Sequence, residues 1–245
     1  MAMQVESTKI GRTLKWAAIF SILLLPIAVV CYRLNFYDFS DASKVLTLSL
    51  FLSAIIFLFA LLLSIVHRKS NPSNSKLAAH AWGLSLMPLI FFGAQIIVVK
   101  SVPMIHNIST DVNDPPEFFK VIELRGANSN PHEYDQASLA SIQREAYPNI
   151  TTLFVDDSID KAFKKANQVV ALLEWDVVSR DVVKGVVEAT ETSGIWQFKD
   201  DVVIRIKVSG DQTKIDLRSV SRVGRSDLGA NAKRIEKFLE TYKLL

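Results

Sequence analysis

The 245 residues are 49% hydrophobic with a formal net charge of +3, enough chain for one large domain or for a modest domain beside a membrane part. The charge is split: residues 1–100 hold 9 Lys/Arg against 3 Asp/Glu, and residues 101–245 hold 19 against 22. The basic excess therefore lies in the apolar half, which argues against nucleic-acid binding by the C-terminal half. The single cysteine, Cys31, excludes disulfides, thiolate metal sites and cysteine nucleophiles from that half.

A helix needs about 20 apolar residues to cross the hydrocarbon core. Three runs qualify: Trp16 to Tyr32, Val45 to Val66 and Leu77 to Val99. Pro26, Pro88, Gly83 and Gly93 lie inside them, which membrane helices tolerate. The first run follows Lys9, Arg12 and Lys15, as a signal peptide would. It lacks an A-x-A site after it, and Val30 precedes Cys31 where a lipoprotein site needs a small residue, so a retained span is expected. Arg68, Lys69 and Lys76 lie between runs two and three, whereas the loop from Asn35 to Ser43 carries Asp38 and Asp41 and no base. The positive-inside rule then puts the N-terminus in the cytoplasm and everything after Lys100 outside, in the periplasm of a Gram-negative cell. His80 and Gln95 are the polar residues that an ion path would use, but a transport role would want buried charge. Ser49-x-x-x-Ser53 and Ala60-x-x-x-Ser64 permit close helix packing.

Residues 101–150 read as an extended arm, with the turn-forming run Asp111-Val112-Asn113-Asp114-Pro115-Pro116 and a short helix from Asp135 to Ala146. Residues 151–245 read as an α+β domain. Thr152 to Val155 is a strand. Asp157 or Ser158 caps a helix to about Glu174, whose apolar face is Ile159, Phe163, Ala166, Val170 and Leu173. Four strands follow: Trp175–Arg180, Gly185–Glu191, Asp201–Val208 and Lys214–Arg222. Val202, Ile204, Ile206 and Val208 point inward with Ile215 and Leu217, and Ser209-Gly210-Asp211 turns the last hairpin. The register that sets Arg205 against Asp216 is favoured, because a slip of two sets it against Arg218. A helix from about Asp227 to Tyr242 presents Leu228, Ala232, Ile235, Leu239 and Tyr242. The expected architecture is an α-helical membrane region plus a two-layer α+β domain, with a four- to five-stranded antiparallel sheet and helices on one face.

The densest polar cluster runs from Arg218 to Asn231, from the end of a strand through a glycine turn into a helix. Helix N-termini attract anions, and guanidinium forks suit phosphate or carboxylate. Arg218, Arg222, Arg225, Ser226, Asp227 and Asn231 are thus candidates for binding an acidic ligand, with Asp200 and Asp201 as acidic candidates. The alternative is structural: Ser226 or Asp227 caps the helix while the arginines pair with Asp200, Asp201 or Asp227. Asp200 and Asp201 are neighbours on a strand and face opposite ways, a poor start for two-carboxylate chemistry. His106 and His132 have no metal-ligand spacing, so no metal or cofactor is expected. Trp175 and Trp196 read as core or sheet-edge aromatics.

The runs Phe198 to Arg205 and Asp216 to Asn231, with His106-Asn107-Ile108-Ser109-Thr110-Asp111, Asp114-Pro115-Pro116 and Ala146-Tyr147-Pro148, resemble the bacterial and plastid family catalogued as domain of unknown function 1499. The resemblance covers roughly Met104 to Tyr242 and leaves the membrane part outside. It implies no agreed activity, ligand or catalytic residue.

With no catalytic constellation in view, the expectation is an inner-membrane envelope protein, held by three spans, whose periplasmic domain binds a partner protein or an acidic ligand. The rivals are an enzyme acting on an envelope substrate through Asp200, Asp201, Arg222 and Asp227, and an accessory subunit of a membrane complex with the domain as a lid.

Overall fold

A computed structural model describes the backbone of residues 2–245 and the side chains from Thr8 onward. The chain divides into two compact units after Val98.

The first unit is helical. α1 spans Ala2–Arg33, α2 spans Phe39–Ser70 and α3 spans Pro72–Ser101. All three are long and apolar enough to cross a membrane. Each helix overruns its apolar run because the charged flanks are helical too. Asp38 caps α2 by accepting the Asp41 N–H at 2.9 Å. Ser49 and Ser53 are fully buried. Ser49 Oγ donates to the Ser21 carbonyl at 2.6 Å and Ser53 Oγ to Ser21 Oγ at 3.0 Å, so small polar residues tie α2 to α1. Exposed Leu58, Phe59, Leu62 and Ile65 leave an apolar outer surface suited to lipid. His80 and Gln95 lie on exposed faces of α3.

The second unit is the expected α+β domain. β1 (Asn107–Ser109), α4 (Gln136–Ala146), β2 (Leu153–Val155), α5 (Ile159–Leu172), β3 (Asp176–Asp181), β4 (Val186–Thr192), β5 (Lys199–Ser209), β6 (Gln212–Ser221) and α6 (Ala230–Leu244) follow in order. The sheet is antiparallel, in the order β1-β6-β5-β4-β3, and β2 pairs with β6 beyond β1. Ser158 caps α5, and Asp135 caps α4. The β5–β6 turn has Gly210 at φ +61° with Asp211 at negative φ, the pattern of a type II′ hairpin. The favoured register is present, with Arg205 opposite Asp216. Gly185, at φ +64°, is needed where β4 begins: a Cβ there would lie 2.2 Å from the Ile206 carbonyl oxygen.

α5 and α6 cover one face. Val187, Ala189, Val202, Ile204, Ile206, Ile215 and Leu217 pack there against Phe163, Val169, Val170, Ile235 and Phe238. Trp175 stacks on Phe238 with ring centroids 5.9 Å apart. The other face is covered as well. The segment read as an extended arm supplies β1 to the sheet edge and then crosses that face, where Phe118 and Val121 pack on Val186, Val203 and Val220. Residues that alternation points away from the helices, Arg205, Asp216 and Arg218, are therefore buried. Strand periodicity fixes which way they point, but the arm decides that they are not solvated.

α6 begins at Ala230, three residues after the expected Asp227 start. Leu228 and Gly229 adopt φ of +53° and +81°, a left-handed turn incompatible with helix. Leu228 is accordingly exposed instead of lying on the apolar face of α6.

Candidate functional site

Strand alternation sends the adjacent carboxylates of β5 to opposite faces. Asp200 faces the helices and meets Arg234 Nη2 at 2.7 Å. Arg234 also reaches Glu191, Ser219 Oγ and Asn231 Oδ1. Asn231 is fully buried; its amide donates to the His106 carbonyl at 2.9 Å and to Ser221 Oγ at 3.0 Å. This network ties the start of α6 to β5, β6 and the residue before β1.

Asp201 faces the arm and is fully buried. Arg222 Nη2 reaches it at 2.7 Å, Thr190 Oγ1 donates to it at 2.9 Å, and Arg125 of the arm pairs with its other oxygen. Arg222 Nη1 goes on to the Leu124 carbonyl at 2.9 Å, and Arg125 Nη2 to the Asn130 carbonyl at 2.7 Å. Asp216 makes a second such centre with Arg205, Lys214, Thr110 and Thr152. Glu188 makes a third, accepting the N–H groups of Phe119 at 2.6 Å and Lys120 at 2.8 Å and the Ser179 hydroxyl at 2.7 Å. Buried carboxylates need such partners, and each centre holds part of the arm on the sheet.

Arg218 is buried between the rings of Phe118 and Tyr134, 5.2 and 5.7 Å from their centroids. It donates to Asn107 Oδ1 and to the Pro116 and His132 carbonyls. Burial pushes its pKa down to about 10. Asp227 accepts the N–H groups of Gly229 at 2.8 Å and Asn231 at 2.9 Å, which occupies the N-terminus of α6. Burial pushes the Asp227 carboxyl up despite those bonds. Ser226 Oγ accepts the Leu228 N–H at 3.2 Å. Arg225 differs from the rest: it is exposed, and it has no hydrogen-bond or ion-pair partner among the described residues.

The structure thus brings Arg222 to Asp201 and Asn231 towards Asp200 through Arg234. It leaves Arg225 alone and turns Arg218 into a clamp on the arm. Glu188, Arg125 and Arg234 were missed as charged anchors, and Asp216 was read as the partner of Arg205 but not as buried. The available signal was a charge inside an apolar strand, as in Val186-Val187-Glu188-Ala189, which marks a buried group but not its partner.

Elsewhere, a cleft of about 730 Å³ opens between the segment after β1, the end of α4 and β2, with Lys214 on one wall. Arg144, Tyr147 and Phe154 also line it. Lys214 Nζ meets Asp111 at 2.7 Å. Burial alone would raise the Asp111 carboxyl, but Lys214 and the amides of Asn113 and Asp114 outweigh it and hold the group below the usual range. Among the described residues no group of three or more His, Cys, Asp or Glu is placed to hold a metal ion.

No curated protein matches the chain. Residues 107–241, the sheet with its arm and both covering helices, match the family described as a protein of unknown function, DUF1499, and the chain belongs to that family.

Proposed function

We propose that the chain is a membrane-anchored binding protein of the cell inner membrane, with a cytoplasmic N-terminus and residues 107–241 on the periplasmic side. There the domain engages a partner protein or an acidic ligand. The contrast around the β6–α6 loop carries the binding reading. Arg218 and Arg222 are spent on internal partners, whereas Arg225 projects from the same segment with none among the described residues. Charge supports the orientation: Lys9, Arg12 and Lys15 precede the first span, and Arg68, Lys69 and Lys76 flank the turn between α2 and α3.

A second reading, an enzyme acting on an envelope substrate, is favoured by the cleft beside Lys214, whose volume suits a small ligand. A photo-reactive residue placed in intact cells at exposed Val223, in the loop, or at half-exposed Phe154, in the cleft, separates the two. A discrete adduct from position 223 and none from 154 is the expected result. Adducts from position 154 alone would move the function to the cleft, and adducts from neither would contradict both readings.

A further inference from the structure

Three observations meet at the loop between β6 and α6. The loop is rigid: Gly224, Leu228 and Gly229 hold φ of +90°, +53° and +81°, and Asp227 bonds across the turn to Gly229 and Asn231. It is fastened to the arm, where Asn130 Nδ2 donates to the Gly224 carbonyl at 2.8 Å, and to the residues that lead into β1. The Asp227 N–H donates to the Ile105 carbonyl at 3.2 Å and Ser226 Oγ to the Pro103 carbonyl at 3.4 Å. A Cβ on Gly229 would lie 3.4 Å from Val102 Cγ1. These residues directly follow Ser101, the last residue of α3. At most about 3.6 Å of chain per residue keeps the loop within roughly 14 Å of that helix end.

The third observation is what the loop shows to its surroundings. Arg225 is exposed and unpaired among the described residues. Val223 is 41% exposed, Leu228 37% and nearby Met104 66%. The one loop carboxylate, Asp227, is turned onto the amides of α6 and does not neutralise Arg225. A single exposed leucine means little. Apolar side chains flanking an uncommitted guanidinium, on a loop bonded to the chain leaving a span, are the makings of an interfacial contact.

The geometry points to residues 223–228 as a seat on the bilayer that α3 crosses, with Arg225 engaging the phosphate of an anionic phospholipid headgroup. This rests on the reading of a membrane-anchored domain that binds an acidic ligand, and it names that ligand. A guanidinium fork matches phosphate oxygens. One basic residue at an anionic surface gains about fivefold in affinity, little for a free protein. Tethering by α3 makes the encounter intramolecular and lets so weak a contact persist.

The test uses the full chain with Cys31→Ser, reconstituted in lipid nanodiscs. One fluorophore goes on Val223→Cys. A reference goes on Asp211→Cys in the β5–β6 turn, at the far end of β5 and about 30 Å away at the rise of a strand. Quenching by a nitroxide carried on lipid headgroups reports contact. The seat predicts stronger quenching at position 223 than at 211, and an increase when phosphatidylglycerol replaces part of the phosphatidylcholine. Arg225→Glu should lower the seated-to-free ratio about fivefold or more with the thermal melt unchanged, since the residue is exposed. Millimolar inorganic phosphate should leave the quenching as it was. Equal quenching at both positions, indifference to lipid charge or to Arg225→Glu, or release by inorganic phosphate would each overturn the headgroup seat while leaving the anchor intact. Protein that does not enter the discs would instead sink the underlying membrane reading.

Discussion

Asp201→Ala is expected to destabilise the C-terminal domain by about 3–5 kcal/mol, a large fraction of the stability that a domain ordinarily has. Asp201 is fully buried, and its carboxylate is the shared counter-ion of Arg125 and Arg222, whose side chains are 5% and 12% exposed. Removing it leaves two guanidinium groups in a poorly solvated site, an outcome far costlier than the net gain from the intact pairs. Both arginines also hold arm carbonyls, at Asn130 and Leu124, so the arm should loosen with the sheet. Urea unfolding of the full chain in detergent, followed through Trp175 buried against Phe238, measures the loss. Removing both arginines along with the aspartate should recover part of it, because the charges then vanish together. A loss below about 1 kcal/mol would mean that water reaches the site and that the centre does not hold the arm.

Glu188→Ala should cost about 3 kcal/mol, from losing charged hydrogen bonds to the Phe119 and Lys120 amides and to Ser179. Its signature differs from that of Asp201. Glu188 faces the one-turn helix over Val121–Leu124, which has no side-chain cap of its own, and β4 supplies the missing acceptor. Without it the arm should peel locally before the sheet unfolds. Limited proteolysis then cuts within residues 119–131 under conditions that leave Trp175 fluorescence unchanged. Cleavage and loss of fluorescence at the same rate would show that arm and sheet unfold as one unit.

Strand alternation made much of the sheet legible. Ile204 and Ile206 of β5 and Ile215 and Leu217 of β6 lie on the helix side as their spacing requires, and like-charge repulsion selected the Arg205–Asp216 register; Val208, on the same alternation, is exposed beside the hairpin turn. A capping residue, Ser158, marked the start of α5. The cover on the second face was not legible. Its contacts join residues far apart in sequence, 76 positions for Arg125 and Asp201 and 68 for Lys120 and Glu188, and no local pattern encodes such pairings. β1 was missed because three residues are too few to show a period. The start of α6 was displaced because Leu228 takes a left-handed backbone that leucine rarely adopts.

The same limit applies to the polar cluster from Arg218 to Asn231. Its composition drew attention to the segment and allowed both an anion site and a capped, ion-paired turn. The structure gives Arg222 to Asp201 and Asp227 to the amides of α6. What separates Arg225 from its neighbours is position: Arg218 lies in a strand under the arm, while Arg225 follows Gly224 in a turn.

The proposed arrangement stands or falls on which side of the membrane follows α3. Paired fusions after Leu245, one to a phosphatase that folds only outside the cytoplasm and one to a fluorescent protein that matures only inside, read this directly. Three crossings from a cytoplasmic N-terminus predict an active phosphatase and a dark fluorescent fusion, both in the membrane fraction. A bright cytoplasmic fusion, or a soluble C-terminal fragment released by cleavage after the first apolar run, would contradict it.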